Sequence, residues 1–191
     1  PAHHGRLWHR ARIVRVRAAV FWACESAVDL KAVGHRLGLE VLNGVARASL
    51  GAPVTLQHGA HERHVVDYWG AAGSSDRPLV VFFYGGGWTS GARRDYRFVA
   101  DTFRRLGCDG ARPDYRLYPE VRFDAIARDA IEAVRLVLAE VAGHRKVILA
   151  GHSAGAQIAM LLTMNRELLG DDANRIAAVV GDTPLAPAGD G

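Results

Sequence analysis

Apolar positions change their spacing several times along the chain, and each change marks an element. Residues 37–49, LGLEVLNGVARAS, set apolar side chains three and four apart, which predicts a short helix stopped before Gly51-Ala52-Pro53. Residues 64–69, HVVDYW, predict a strand, and residues 70–78, GAAGSSDRP, a turn. Residues 78–84, PLVVFFY, are an unbroken apolar run of the kind buried on both faces of a parallel sheet, and it stops at Gly85-Gly86-Gly87. A helix is expected over 92–106 with Gly107 as its stop, and residues 108–120 bring the chain back to the sheet. There Asp109, Gly110 and Arg112 suit a buried parallel strand badly, so a short or distorted strand is expected. Helix 123–141, strand 146–150, helix 154–169 and strand 176–181 complete the series.

Strands and helices alternating at this pitch predict an α/β fold, a doubly wound and mostly parallel sheet with flanking helices. The core is expected over residues 37–181, behind a basic N-terminal extension over 1–36. The Gly/Pro/Ala-rich tail over 182–191 is expected to be disordered.

Composition narrows the class. With 191 residues, 49% of them hydrophobic and 23% charged, the chain can bury a sizeable single core. The formal net charge of +4 is local, because residues 1–36 hold seven Arg or Lys against Glu25 and Asp29. The rest is close to neutral, which speaks against a broad nucleic-acid-binding face. An alternative use of the basic arm is attachment of residues 6–17 to nucleic acid or a membrane surface. Cys24 and Cys108 stand in no metal-ligand or disulfide spacing. The longest apolar run, residues 18–24, is too short to span a membrane, so no transmembrane segment is expected and the compartment is read as cytoplasmic. The same run behind five arginines leaves export or anchoring as the alternative.

The chemistry centres on residues 147–160, VILAGHSAGAQIAM. Gly151-x-Ser153-x-Gly155 lies between a buried-strand run and a good helix former, so Ser153 occupies a strand-to-helix turn. Such a turn strains the backbone and aims Oγ outward, while a Cβ at either flanking glycine would clash. The bland alternative is a serine that only caps the helix. In FFYGGGW, residues 82–88, three glycines at a strand end let backbone N–H groups turn toward an anion. His58, His61 and His64 would face one another on a helix, but this segment reads as loop and strand, and no metal site is assigned. No cofactor is expected.

Taken in order, FFYGGGWTSG, PDYRLYPEVRF and GHSAGA resemble the α/β-hydrolase superfamily, within it the hormone-sensitive-lipase-like carboxylesterases and BD-FAE-type hydrolases, a group that includes kynurenine-formamidase-like members. The resemblance covers roughly residues 37–181. It implies a serine carboxylic-ester hydrolase with a small-molecule ester substrate, Ser153 as nucleophile, and Gly86, Gly87 and Ala154 as oxyanion-hole donors. By the same resemblance His152 neighbours the nucleophile without being its base, and Asp114 and Arg116 make structural contacts near the floor of the site, where Glu120 also belongs. Tyr84 stands where many relatives carry histidine before the glycines.

The largest departure comes after the elbow. The superfamily's triad runs Ser, then Asp or Glu, then His. The 38 residues after Ser153 include Asp171, Asp172, Asp182 and Asp190 but none of the nine histidines. Asp171 and Asp172 read as a solvated helix end, and Asp182 and Asp190 as tail; none is assigned. The triad acid and histidine are therefore read as missing from this chain, an esterase core cut short and nearly inactive alone. Its last strand is expected to leave an unpaired sheet edge that promotes self-association. The alternative function is a non-catalytic module that binds a ligand or partner through the glycine-rich pocket.

Overall fold

The computed structural model describes residues 34–70 and 76–182. The arm over 6–17, the apolar run over 18–24, most of the expected 70–78 turn and the tail from 183 onward lie outside the described residues.

Six strands form one sheet in the order β1-β2-β4-β3-β5-β6. They are β1 (Val54–Gln57), β2 (Val65–Trp69), β3 (Leu79–Phe83), β4 (Asp109–Pro113), β5 (Val147–His152) and β6 (Ile176–Asp182). The pairs β1/β2 and β2/β4 are antiparallel, whereas β4/β3, β3/β5 and β5/β6 are parallel. Among the described residues four α-helices accompany them: α1 (Gly34–Leu50), α2 (Arg97–Arg105), α3 (Phe123–Glu140) and α4 (Ala154–Met164). The mostly parallel sheet with flanking helices is the architecture expected from the alternating pattern. Helix α1 starts three residues inside the expected extension, and β6 takes in Asp182, assigned above to the tail.

The core follows from the patterns. All five residues of β3 are buried, and Ile126, Ala130, Val134 and Val137 line one stripe of α3 beneath the sheet. β1 shows why it escaped notice: its burial alternates on neither face, with Leu56 alone half-buried.

β4 is short, as one side of the expectation had it, and regular rather than distorted. It pairs with β2 over four residues and with β3 over three, and all five of its residues are buried. Its charged side chains meet an opposite charge or an aromatic face in place, while Asp109 Oδ1 and Arg112 Nε and Nη1 make no hydrogen bond. Asp109 accepts from Arg145 Nη1 at 2.7 Å and from the Tyr68 hydroxyl at 3.2 Å. Arg112 lies over the Trp69 ring, 4.3 Å from its centroid, with Asp67 3.6 Å from Nη2. A buried charge is tolerated when partnered in this way. The one register shift between strands among the described residues falls between β5 and β6, at Val147/Ile148. The helix expected over 154–169 ends at Met164, because Asn165 leaves the helical region at φ −98°, ψ 83°. Two short 3₁₀ turns, Arg166–Leu168 and Gly170–Arg175, carry the chain to β6.

From β3 the chain runs to β4 on one side, and from β5 to β6 on the other. Neighbouring strands whose exits diverge leave a crevice at their carboxyl ends, where open α/β sheets bind ligands. The glycines after β3 and Ser153 after β5 sit at that point.

Candidate active site

Ser153 joins β5 to α4 with φ 50° and ψ −118°, a conformation that L side chains rarely adopt. Such a residue costs about 1–3 kcal/mol and persists only where its surroundings impose it. Gly155 shows what imposes it here. A Cβ on Gly155 would lie 2.1 Å from the Phe83 carbonyl oxygen and 2.4 Å from that of Tyr84. The first turn of α4 thus rests directly on the backbone leaving β3. On the other side, the Ser153 N–H donates to the Asp182 carbonyl at 2.7 Å, which fastens the turn to β6.

The glycine loop runs alongside. A Cβ on Gly85 would come within 3.1 Å of the Ser153 Cβ. Gly86 has φ 150°, and a Cβ there would meet the Ser90 carbonyl at 2.0 Å, so only glycine fits. The loop's carbonyls are engaged. Gly85 O accepts from the Tyr96 hydroxyl at 3.5 Å, and Gly86 O accepts from Thr89 N, Ser90 N and Ser90 Oγ at 3.2, 3.1 and 2.9 Å. In a trans peptide the N–H points opposite to the preceding carbonyl. The Gly86 N–H therefore faces away from Tyr96, and the Gly87 N–H away from the Ser90 turn. Ser153 O accepts from Ala156 N and Gln157 N, so the Ala154 N–H looks out of the start of α4, where helix N–H groups lack an intrahelical partner and the dipole favours negative charge. Beyond the glycines, Trp88 sets its ring edge-on to Phe123 with centroids 5.0 Å apart, and its carbonyl accepts from Tyr118 N at 2.8 Å.

Among the described residues, His58, His61, His64 and His152 each face another group. His61 Nε2 lies 2.7 Å from Glu120 Oε1, and His64 Nε2 lies 3.1 Å from Asp129 Oδ1. The His58 ring stacks on His64 at 5.0 Å; burial, then the neighbouring His64, lower its pKa. His152 turns its ring toward Tyr96, 6.3 Å between centroids, beneath Gly85. Arg116 makes the structural contact expected of it, placing Nε and Nη2 at 2.9 and 2.7 Å from the two oxygens of Asp129. Burial works against the charge of Asp129, but the hydrogen bonds from Arg116 outweigh it and hold the carboxyl below its usual range. Asp171 and Asp172 lie in the second 3₁₀ turn. Asp182 is not tail: it ends β6 opposite His152, because the ladder carries β5 two residues and β6 one residue beyond the ends the apolar pattern suggests.

Several supporting residues escaped sequence reasoning. Arg63 lies inside the HGAHERH segment considered only for its histidines, and Arg93 has no motif. Asp129 left a legible sign, a lone acid next to the Ile126/Ala130 apolar stripe of α3.

Comparison with known proteins agrees with the fold. A family described as alpha/beta hydrolase fold matches residues 80–188. Versiconal hemiacetal acetate esterase of Emericella nidulans is 34% identical over 118 residues, 58% of this chain and 38% of that protein. Kynurenine formamidase of Danio rerio is 25% identical over 142 residues, 74% of this chain and 48% of that protein. The chain thus spans less than half the length of these two relatives. Among solved structures, a candidate thioesterase of Silicibacter sp. tm1040 superposes with a TM-score of 0.66 at 29% identity, covering 78% of this chain and 56% of that one.

Proposed function

Starting from a chain that belongs to the alpha/beta hydrolase fold family, whose match covers more than half of it, we propose a serine carboxylic-ester hydrolase acting through an acyl-enzyme on Ser153. One observation carries the proposal: a serine held at φ 50° in a strand-to-helix turn packed against the glycine loop, with the N–H groups of Gly86, Gly87 and Ala154 as its proposed oxyanion donors. Ser153 Oγ attacks the ester carbonyl, its carbon–oxygen bond to the alcohol breaks, and water then hydrolyses the acyl-enzyme. The three N–H groups receive the charge on the tetrahedral oxygen, and one such donor is typically worth about 3 kcal/mol. An ester substrate is supported by the esterase among the relatives; the formamidase keeps an amide as the competing choice.

No residue is assigned as triad acid or base, since no histidine follows Ser153 in the sequence. Turnover by these 191 residues alone is accordingly proposed to be slow. In serine proteases the loss of triad members still leaves about 10³–10⁴-fold acceleration over water. The outer edge of β6, with Met160 and Met164 exposed on the neighbouring α4, is proposed to promote self-association, seen as a sedimentation coefficient that rises with protein concentration.

The function is tested by incubating the chain with p-nitrophenyl acetate and mapping the acyl group by mass spectrometry. An acetyl group on Ser153, absent in Ser153→Ala, is expected. Release of p-nitrophenol no faster than from Ser153→Ala, with no adduct, would favour a non-catalytic ligand-binding module instead.

A further inference from the structure

Three acceptors behind the glycine loop converge on one nitrogen of the half-buried Arg63. Arg63 Nη1 lies 3.0 Å from Asp114 Oδ1, 3.1 Å from the Gly91 carbonyl and 3.3 Å from the Tyr84 hydroxyl. Tyr84 immediately precedes the glycines and Gly91 closes the loop, so a single guanidinium touches both of its ends. Asp114, almost wholly buried, receives the Tyr84 hydroxyl on Oδ1 and Arg93 Nη1 on Oδ2 at 3.1 Å. The Tyr84 ring is also sandwiched: it stacks on Tyr115 at 4.4 Å and 9°, and the Tyr115 hydroxyl donates to the Tyr84 carbonyl at 2.7 Å. Burial, then Asp114, push the Tyr84 pKa up, which keeps the phenol a neutral donor.

We infer that Arg63 and Tyr84, clamped by Asp114, are positioning residues that fix the direction of the Gly86 and Gly87 N–H groups. Neither touches the reacting atoms. Their work is to anchor the loop's two ends, at Tyr84 and at the Gly91 carbonyl, while the Tyr96 hydroxyl and the Ser90 turn hold the Gly85 and Gly86 carbonyls between them, so that the opposite N–H groups are aimed before any negative charge develops. Tyr84, where the resemblance leads one to expect histidine, thereby has a purpose of its own: its hydroxyl joins β3 to the carboxylate at the end of β4. The catalytic meaning of the clamp rests on Ser153 being the nucleophile; the clamp itself does not.

Two measurements on the full chain separate these. Tyr84→Phe removes only the hydroxyl, and Arg63→Met keeps an unbranched stem but removes every donor to Gly91, Asp114 and the Tyr84 hydroxyl. In hydrogen exchange, the amides of residues 85–91 are expected to exchange about tenfold faster in both variants, with those of β5 unchanged. Exchange that stays at the wild-type rate, or rises equally in β5, would overturn the clamp. With a fluorophosphonate, the maximal rate of Ser153 modification is expected to fall by roughly tenfold while half-saturation stays within about twofold, because the donors matter where charge develops. A merely structural role would lower the labelled fraction or the melting temperature and leave the rate of the folded molecules untouched, which would also overturn the inference. If wild type itself is not labelled, the nucleophile assignment fails, and exchange still decides the clamp.

Discussion

β3 and β4 are neighbours at the centre of the sheet, both buried along their whole length, and they differ in almost everything else. β3 is Leu-Val-Val-Phe-Phe and asks only for packing. β4 is Asp-Gly-Ala-Arg-Pro and depends on remote partners, with Arg145 and Tyr68 reaching Asp109, and Trp69 and Asp67 receiving Arg112. The contrast extends through the two halves. On the β4 side, polar matching holds the scaffold; on the β3/β5 side, apolar strands and close backbone contact leave room to store strain at Ser153. The loop between them is where the halves meet, through Arg63, Asp114 and Tyr84.

The largest effect should come from breaking the charged half. Asp109→Ala leaves Arg145 buried without its carboxylate and is expected to cost about 3–5 kcal/mol in chemical denaturation. Val81→Ala, deleting packing in β3 two residues beyond the position paired with Asp109, should cost about 2 kcal/mol. Equal losses would dissolve the contrast. Close contact on the other side is tested by Gly155→Ala. A methyl group facing two backbone carbonyls that cannot swing aside should cost about 3 kcal/mol and slow modification of Ser153 as α4 is pushed from β3. A loss below about 1 kcal/mol would mean that the turn is looser than described.

Acid sharpens the comparison further. Because Arg116 holds the Asp129 pKa below its ordinary value, near 4 for an aspartate, this group's contribution to stability is complete above that pH. It is lost as pH falls through the lower folded value. Asp129→Asn should therefore flatten the acid limb of melting temperature against pH; an acid limb identical to that of wild type would deny the role. The smallest effect is a gain. Ser153→Gly relieves φ 50° and is expected to stabilise the fold by about 1 kcal/mol while abolishing modification. Destabilisation would show that the serine is not strained.

Local signals explain which of these features were legible beforehand. The apolar run into β3, the stripe of α3 and the strand-turn-helix around Ser153 each declare themselves within a dozen residues, as does the glycine loop. What matches β4 does not: Asp109 meets Arg145 36 positions later, and Arg63 meets Asp114 at a separation of 51. Polar residues in a strand argue against burial until their partners are placed, and placement needs the sheet order. β1 stayed hidden for the opposite reason, four residues with almost no burial to create a pattern. Asp182 was misplaced because ladder pairing with His152, not hydrophobicity, keeps it in β6.

Covalent trapping tests the central claim most directly. The intact chain is treated with a fluorophosphonate and its peptides are mapped by mass spectrometry; nucleophilic Oγ displaces fluoride and keeps the phosphonyl group. The expected result is one adduct on Ser153 that disappears in Ser153→Ala. An unmodified chain, or an adduct that persists in Ser153→Ala, would contradict the assignment of Ser153 as nucleophile.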